Sequence, residues 1–379
     1  MPQPPPPLPD ELVEEILLRL PPDSPASLVH AGVVCKRWCL LVSDPVFHRR
    51  FREFHRPPPI LGFLCDGCDI GDHQIACFMP TSLPQAGRRR RMRPSDSRHG
   101  HVLFHNYPWA SFSIIVWDPI MDKRLELPEP PSLSSLDGCT AAVLCAATPS
   151  GTCNHLNCHH GPFIVDDHVG WRHSTLVKNM LYFVSASSKR TIEYDLVAQK
   201  ISVIDLPGSP CKNKMCPSFI ELTTTEDDRL GFTRLEDFRL CLWSREVQDA
   251  RWELIKVIGL DELLPIDGTW TWTRRPSLLG SAEGVGIIFL LVGMEVFTVD
   301  LRSGRVTKVD VVPCKGVHMI IPYVNFCTPV LRAPPTDDGP KASARDLLRK
   351  KSDRTEVQTY KKSEYLIRRR RRRNKDKKL

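Results

Sequence analysis

No stretch of 18 or more consecutive apolar residues occurs in the chain, so no membrane-spanning helix is expected. The opening MPQPPPPLPD is proline-rich and lacks a basic start followed by an apolar run, so a secretory leader is not expected either. The 14 cysteines then read as reduced thiols, and the expected location is the nucleus and/or the cytoplasm. Also missing are Gly-x-Ser-x-Gly, a glycine-rich phosphate loop ahead of a helix, and His-Glu-x-x-His. Without them no catalytic residue and no cofactor is assigned, and an intrinsic enzyme is the least favoured class. Between Ile60 and Val330 there is no long amphipathic helix, which excludes a helical bundle there.

What is present is globular in composition. Hydrophobic residues make up 41% and charged residues 25%, and 379 residues leave room for two or three domains. The charge is unevenly placed. Residues 341–379 hold 17 Lys and Arg against 5 Asp and Glu, a net +12; the whole chain is +8, so residues 1–340 carry −4. The basic end follows a linker-like Ala333-Pro334-Pro335-Thr336-Asp337-Asp338-Gly339-Pro340 and contains six consecutive arginines, Arg368 to Arg373. Residues 331–379 are expected to be a disordered basic tail. An import signal is the favoured role, with passive nucleic-acid contact or a solvated terminus as alternatives. No aromatic residue is interleaved in Arg368–Leu379, so base stacking is not suggested.

At the other end, residues 8–56 read as three short helices separated by proline breaks. The first carries Leu12, Val13, Ile16, Leu17 and Leu20 as one apolar stripe, with Asp10 and Glu11 in the first turn where negative charge suits the helix dipole. Pro21-Pro22 stops it. The second opens at Ser24-Pro25 and has no charged residue until Lys36, so it is expected to pack on most sides. The third opens at Asp44-Pro45 and is expected to bury Phe47, Phe51 and Phe54. So small a unit with surplus apolar surface reads as a docking module or as a helical cap on a larger domain.

The order of Leu8-Pro9, Glu11-Leu12, Ile16-Leu17, Arg19-Leu20-Pro21, Val34-Cys35-Lys36-Arg37-Trp38 and Asp44-Pro45-Val46-Phe47 resembles the F-box. The resemblance implies docking to a Skp-family adaptor, and through it to a cullin, in an SCF-type ubiquitin ligase. It also implies that Leu8, Pro9, Leu12, Ile16, Leu17 and Leu20 lie at or behind the adaptor surface. Trp38 would anchor the module's packing and add to the contact.

From Ile60 to Val330 short apolar runs alternate with turn residues, an all-β pattern. The runs are Ile60–Leu64, Phe112–Trp117, Ala141–Ala146, Phe163–Val165, Leu181–Val184, Thr191–Tyr194, Leu240–Trp243, Gly286–Val292 and Glu295–Val299. A weak repeat runs through them: strand, Asp-headed turn, second strand, proline exit. Its three copies are headed by Asp118, Asp195 and Asp300 and exit at Pro128, Pro207 and Pro313, and a divergent copy runs from Leu240 to Leu254. Closing such units into a ring protects their edges, and roughly 40–50 residues per blade gives about six blades over residues 60–330. A β-sandwich is the alternative. The run Arg88–Arg91 with Arg93 reads as a solvated loop. The region also resembles the propeller-like F-box-associated domain of plant, particularly grass, F-box proteins. The carrying residues are Pro59-Ile60-Leu61-Gly62-Phe63, Phe78-Met79-Pro80-Thr81-Ser82, Leu242-Trp243-Ser244-Arg245, Val299-Asp300-Leu301 and Ile321-Pro322-Tyr323. The fold class is thus α+β by domain: a small N-terminal three-helix F-box, an all-β propeller-like domain, and the basic tail.

Two clusters have metal-ligand composition. Cys65, Cys68, His73 and Cys77 approach a zinc-knuckle spacing, and Cys153, His155, Cys158, His159 and His160 form an irregular second group. The competing reading makes the first a strand–turn–strand with core cysteines and the second a loop. Neither is assigned a metal.

Two function classes follow. One is a non-catalytic substrate receptor of a ubiquitin ligase, whose β domain holds a protein substrate of unknown identity. The other is a nucleic-acid-associated nuclear protein acting through its tail. Nucleic-acid binders usually carry the basic patch on the folded domain, whereas residues 1–340 are net negative, so the receptor is favoured and neither a nucleic-acid nor a membrane partner is expected.

Overall fold

The computed structural model describes residues 8–68, 74–81, 88–90, 92–105, 113–120, 122–127, 139–145, 160–166, 172–185, 187–208, 220–236, 238–246, 250–264, 275–309 and 315–326. Two compact units are present, a helical one ending at Arg56 and a β unit starting at Pro57.

The helical unit has four helices, not three: α1 (Asp10–Leu18), α2 (Pro25–Val34), α3 (Lys36–Ser43) and α4 (Pro45–Phe54). The expected second helix is split at Cys35, whose extended backbone (φ −158°, ψ 163°) no helix can pass through. Residues on both sides are adequate helix formers, so propensity does not reveal the break. The Asp44 cap forms as expected, its carboxylate accepting from Val46 N at 2.8 Å. Ser24 does not cap with its side chain; its hydroxyl pairs with that of Ser27 at 3.0 Å. The core is built from Val13, Leu17, Leu18, Leu28, Val42, Phe47 and Phe51, all nearly fully buried. Phe54, expected in it, lies on the same face as Phe47 and Phe51 but is the last residue of α4, and it is exposed while Phe47, His48 and Phe51 are buried.

The β unit is a five-bladed propeller. Its first blade holds β1 (Ile60–Cys68), β2 (Gln74–Pro80) and β3 (Arg88–Arg90), with β22 (Lys315–Val324) on the other side of β1. The second is β4 (Arg93–Arg98), β5 (His101–His105), β6 (Ile114–Asp118) and β7 (Lys123–Leu127). The third is β10 (Thr175–Val177), β11 (Met180–Val184), β12 (Arg190–Asp195) and β13 (Lys200–Asp205). The fourth is β14 (Ile220–Thr224), β15 (Leu230–Glu236), β16 (Arg239–Arg245) and β17 (Trp252–Gly259). The fifth is β18 (Ser277–Ala282), β19 (Ile287–Val292), β20 (Glu295–Asp300) and β21 (Val306–Val309). Between the second and third lies a two-stranded sheet, β8 (Cys139–Cys145) with β9 (His160–Asp166). About six blades were expected; among the described residues five are complete, and this pair fills the remaining sector.

Side chains join each sheet to the next around a full circle. Phe78 of the first blade meets Trp117 of the second edge-to-face at 5.6 Å. Ala141 and Val143 of β8 pack on Leu103 and Val116, and Ala142 on Leu181 and Phe183. Leu222 and Phe232 of the fourth blade pack on Tyr182 and Val184 of the third. Leu240 and Ile258 meet Ile288 and Phe297 of the fifth, whose Leu279 and Phe289 pack on Phe63 and Ile320 of the first. The circle is closed out of chain order by a hydrogen-bonded ladder: the last strand, β22, pairs antiparallel with the first, Ile60 opposite Val324 and Cys65 opposite Ile320.

The repeat seen in the sequence is the outer hairpin of a blade. Asp118 accepts from Ile120 N at 2.9 Å, Asp195 from Val197 N at 2.8 Å and Ala198 N at 2.9 Å, and Asp300 from Arg302 N at 2.8 Å and Ser303 N at 2.9 Å. Each carboxylate caps the turn between the third and fourth strands. The arginine run was expected as a solvated loop; Arg88–Arg90 instead form β3, Arg91 lies outside the described residues, and Arg93 begins β4, buried, with its Nε 3.3 Å from the fully buried Asp66 carboxylate.

Gly280 on β18 is where the fifth blade approaches β22 most closely; a Cβ there would lie 2.0 Å from the Ile320 carbonyl oxygen. Backbone on both sides cannot yield as a side chain can. Gly280→Ala should therefore lower stability by about 3 kcal/mol in chemical denaturation; a loss below about 0.5 kcal/mol would contradict this close packing.

Candidate functional site

The helical unit carries the site suggested by the sequence. On α1 the residues that complete the core are Val13, Leu17 and Leu18. Leu12 and Ile16, one turn apart on the outer side of α1, and Leu8, just ahead of the helix, are 52%, 50% and 50% exposed. Pro9 is exposed beside them, and Leu20 and Trp38 are half-buried. Leu17, only 1% exposed, stands behind this surface and supports it. The core is complete without the outer row, so the exposed residues are surplus to the unit's own folding. Sequence reasoning missed a further group. Val33 and Val34, at the end of α2, are 70% and 64% exposed, and Leu40 of α3 is exposed too. The second helix was expected to pack on most sides; the break at Cys35 instead leaves this end outside.

Polar contacts hold α1 against the other helices. Arg37 of α3 pairs with Asp10, and Arg50 of α4 reaches Glu14 at 2.6 Å and Glu15 at 3.4 Å. His55 Nε2 donates to the Leu18 carbonyl at 2.6 Å, and His48 Nε2 to that of Val42 at 2.6 Å. Burial lowers the His48 pKa from the ordinary histidine value, against the pull of its bond to the Val42 carbonyl. These contacts fix the direction in which the outer row of α1 points. What the face offers is apolar contact area in a set orientation; it has no arrangement for bond-making.

Inside the propeller, charged groups from blades that are not neighbours meet one another. Arg98 of β4 donates to Glu283, which follows β18, at 2.8 Å, and to the Ser174 hydroxyl at 2.8 Å, and pairs with Asp96. Glu283 also accepts from Leu176 N at 2.6 Å, and Asp96 from Val143 N at 2.8 Å. One network thus ties β4, β8, β10 and β18. Burial pushes the Asp96 carboxyl up to about 6, against the pull of Arg98. Nearby, Arg172 pairs with Glu221 of β14 and donates to the Leu278 carbonyl at 3.0 Å.

Ser281, His173 and Glu221 fall in a line: Ser281 Oγ is 3.4 Å from His173 Nε2, and His173 Nδ1 is 3.9 Å from a Glu221 oxygen. The Ser281 hydroxyl, however, donates to the Leu222 carbonyl at 2.6 Å. Burial, then Arg98 and Arg172, push His173 down to about 3. A serine proton given to a carbonyl and a histidine so reluctant to accept one make this a structural tie, unlike a nucleophile with its base.

Of the first metal-like cluster, the fold brings Cys65 and Cys77 together, directly opposite on β1 and β2 and both buried. The Cys68 side chain and His73 lie outside the described residues, as do Cys153, His155, Cys158, His159 and the His160 side chain. Among the described residues no group of His, Cys, Asp and Glu is arranged to hold a metal. The basic tail also lies outside the described residues.

Comparison with known families agrees with both units. Residues 7–53 match an F-box-like domain, and residues 162–331 match the family described as "F-box protein AT5G49610-like, beta-propeller". No curated protein matches the chain. Among solved structures, a functionally unknown protein from Desulfotomaculum acetoxidans is similar at 11% identity and TM-score 0.39, over 69% of this chain and 89% of that one. The Myceliophteria thermophila Cps50 (Swd1) β-propeller domain is similar at 11% identity and TM-score 0.32, over 67% and 91%. Likeness at these scores carries no argument about what this chain does.

Arg98 is buried with two carboxylates facing it. Arg98→Met would leave those charges uncompensated, and the expected loss in denaturation experiments is about 3–5 kcal/mol. A loss under about 1 kcal/mol would show that the network does not hold the blades together.

Proposed function

We propose, from the F-box-like match over residues 7–53 and the F-box β-propeller match over residues 162–331, that this chain is the substrate-recognition subunit of an SCF-type ubiquitin ligase. The F-box docks to a Skp-family adaptor, the adaptor links it to a cullin, and the propeller holds the target protein. The observation that carries this reading is the group Leu8, Leu12 and Ile16, half exposed on a unit whose core is already filled without it. Burying the remaining half of each side chain contributes about 1 kcal/mol, so three or four such residues form the centre of an interface rather than its rim. Pro9, Leu20 and Trp38 border this centre, Leu17 supports it from behind, and Val33, Val34 and Leu40 extend the apolar surface. Catalysis belongs to the conjugating enzyme brought by the complex. This subunit contributes positioning, which raises the effective concentration of the target's lysine.

We also assign the basic tail to nuclear import, because an exposed Lys/Arg run can be read without a folded surface. Deleting Lys361–Leu379 should abolish nuclear enrichment of a fluorescent fusion; enrichment that persists would leave the tail a solvated terminus.

For docking, the double substitution Leu12→Asp with Ile16→Asp should lower adaptor affinity at least ~100-fold, since each places a charge where apolar contact is needed. Circular dichroism should stay unchanged, because neither residue is in the core. Undiminished binding of a purified Skp-family adaptor by this folded variant would refute the docking reading.

A further inference from the structure

The cysteines of the zinc-like pattern have a different use. Cys65 and Cys77 are direct partners in the antiparallel β1–β2 register, flanked by Leu64 opposite Phe78 and Asp66 opposite Ala76. Neither is in a disulfide in the structure, and they are 0% and 6% exposed. Directly opposed residues share one face of the sheet and stand about 4.5–5.5 Å apart at Cα, inside the range a disulfide spans. On that face Cys65 packs with Phe289 and Ile320, and Cys77 Sγ lies 3.6 Å from Met79 Sδ. β1 is also the strand that β22 joins to close the ring.

We propose that Cys65 and Cys77 are an oxidation-sensitive dithiol that closes to a disulfide and staples the first hairpin of the ring-closing blade. With glutathione disulfide as oxidant, the slightly more accessible Cys77 attacks first as its thiolate. An S–S bond to glutathione forms, and one glutathione thiolate leaves. Cys65, as its thiolate, then attacks the Cys77 sulfur, the protein disulfide forms and the second glutathione leaves. Two thiol protons and two electrons pass from the protein to one glutathione disulfide, which becomes two glutathione thiols. Burial suppresses the thiolate, so the pair reacts during local opening and more slowly than the exposed Cys35. Cross-linking restricts the unfolded chain more than a sheet already in register, so the oxidised form is the more stable one.

The test uses the full-length chain incubated with glutathione disulfide, alkylated, and cut before Asp66, Asp69 and Asp72, which places Cys65, Cys68 and Cys77 in separate fragments. The expected result is a Cys65–Cys77 linked pair lighter by two hydrogen atoms, appearing after Cys35 has been modified. Its thermal midpoint should be raised by roughly 2–6 °C over the reduced form. Recovery of Cys65 and Cys77 as two alkylated thiols once Cys35 is fully modified would overturn the proposal. So would a cross-link through Cys68, or a linked pair with a lowered midpoint.

Discussion

The propeller depends on one pairing, that of β22 with β1, because every other sheet is assembled from strands adjacent in sequence. Until Lys315–Val324 returns to Ile60–Cys68, both are open edges with unpaired backbone groups. The entropy of closing so long a loop grows only logarithmically with length, so the cost is moderate, and β1 gains a partner on its second side. The contacts around this junction fit that role. Gly280 is backbone-tight against Ile320, and Tyr323 is buried with its hydroxyl on the Gly100 carbonyl at 3.1 Å. Gly100 itself has φ +77°, a conformation few other residues tolerate.

Buried charge is the second constraint. Arg98 joins Asp96 on its own strand to Glu283 of a non-adjacent blade, and Arg172 pairs with Glu221. Such networks add less net stability than their geometry suggests, but removing one member is costly. The helical unit works differently: its core is small, its charge pairs are at the surface, and its unused apolar row faces outward.

The parts legible in the sequence were the local ones. The turns at Asp118, Asp195 and Asp300 could be read because the carboxylate and the amides it caps are two or three residues apart. Each of the nine strand-like runs overlaps an observed strand and six lie wholly inside one, because apolar β-branched runs bounded by turn residues are local signals too. Helical periodicity showed one apolar stripe on α1; its division into buried Val13 and Leu17 and exposed Leu12 and Ile16 was not encoded in that period. What was missed depends on distant partners. Arg93 looked solvated because Asp66, which buries it, is a blade away. Arg98 and Glu283, 185 residues apart, carry no local mark of their pairing. The break at Cys35 and the exposure of Val33, Val34 and Phe54 come from how short helices meet, which single-helix periodicity does not encode.

The central claim is that the α1 face is a docking surface while the propeller is left available for a target. Amide hydrogen exchange of the full-length protein, alone and with a purified Skp-family adaptor, tests it directly. The account predicts slower exchange, on adaptor binding, over Leu8–Leu20 and Val33–Leu40, with the propeller strands unchanged. Unchanged exchange in those segments, or protection confined to the propeller, would contradict it.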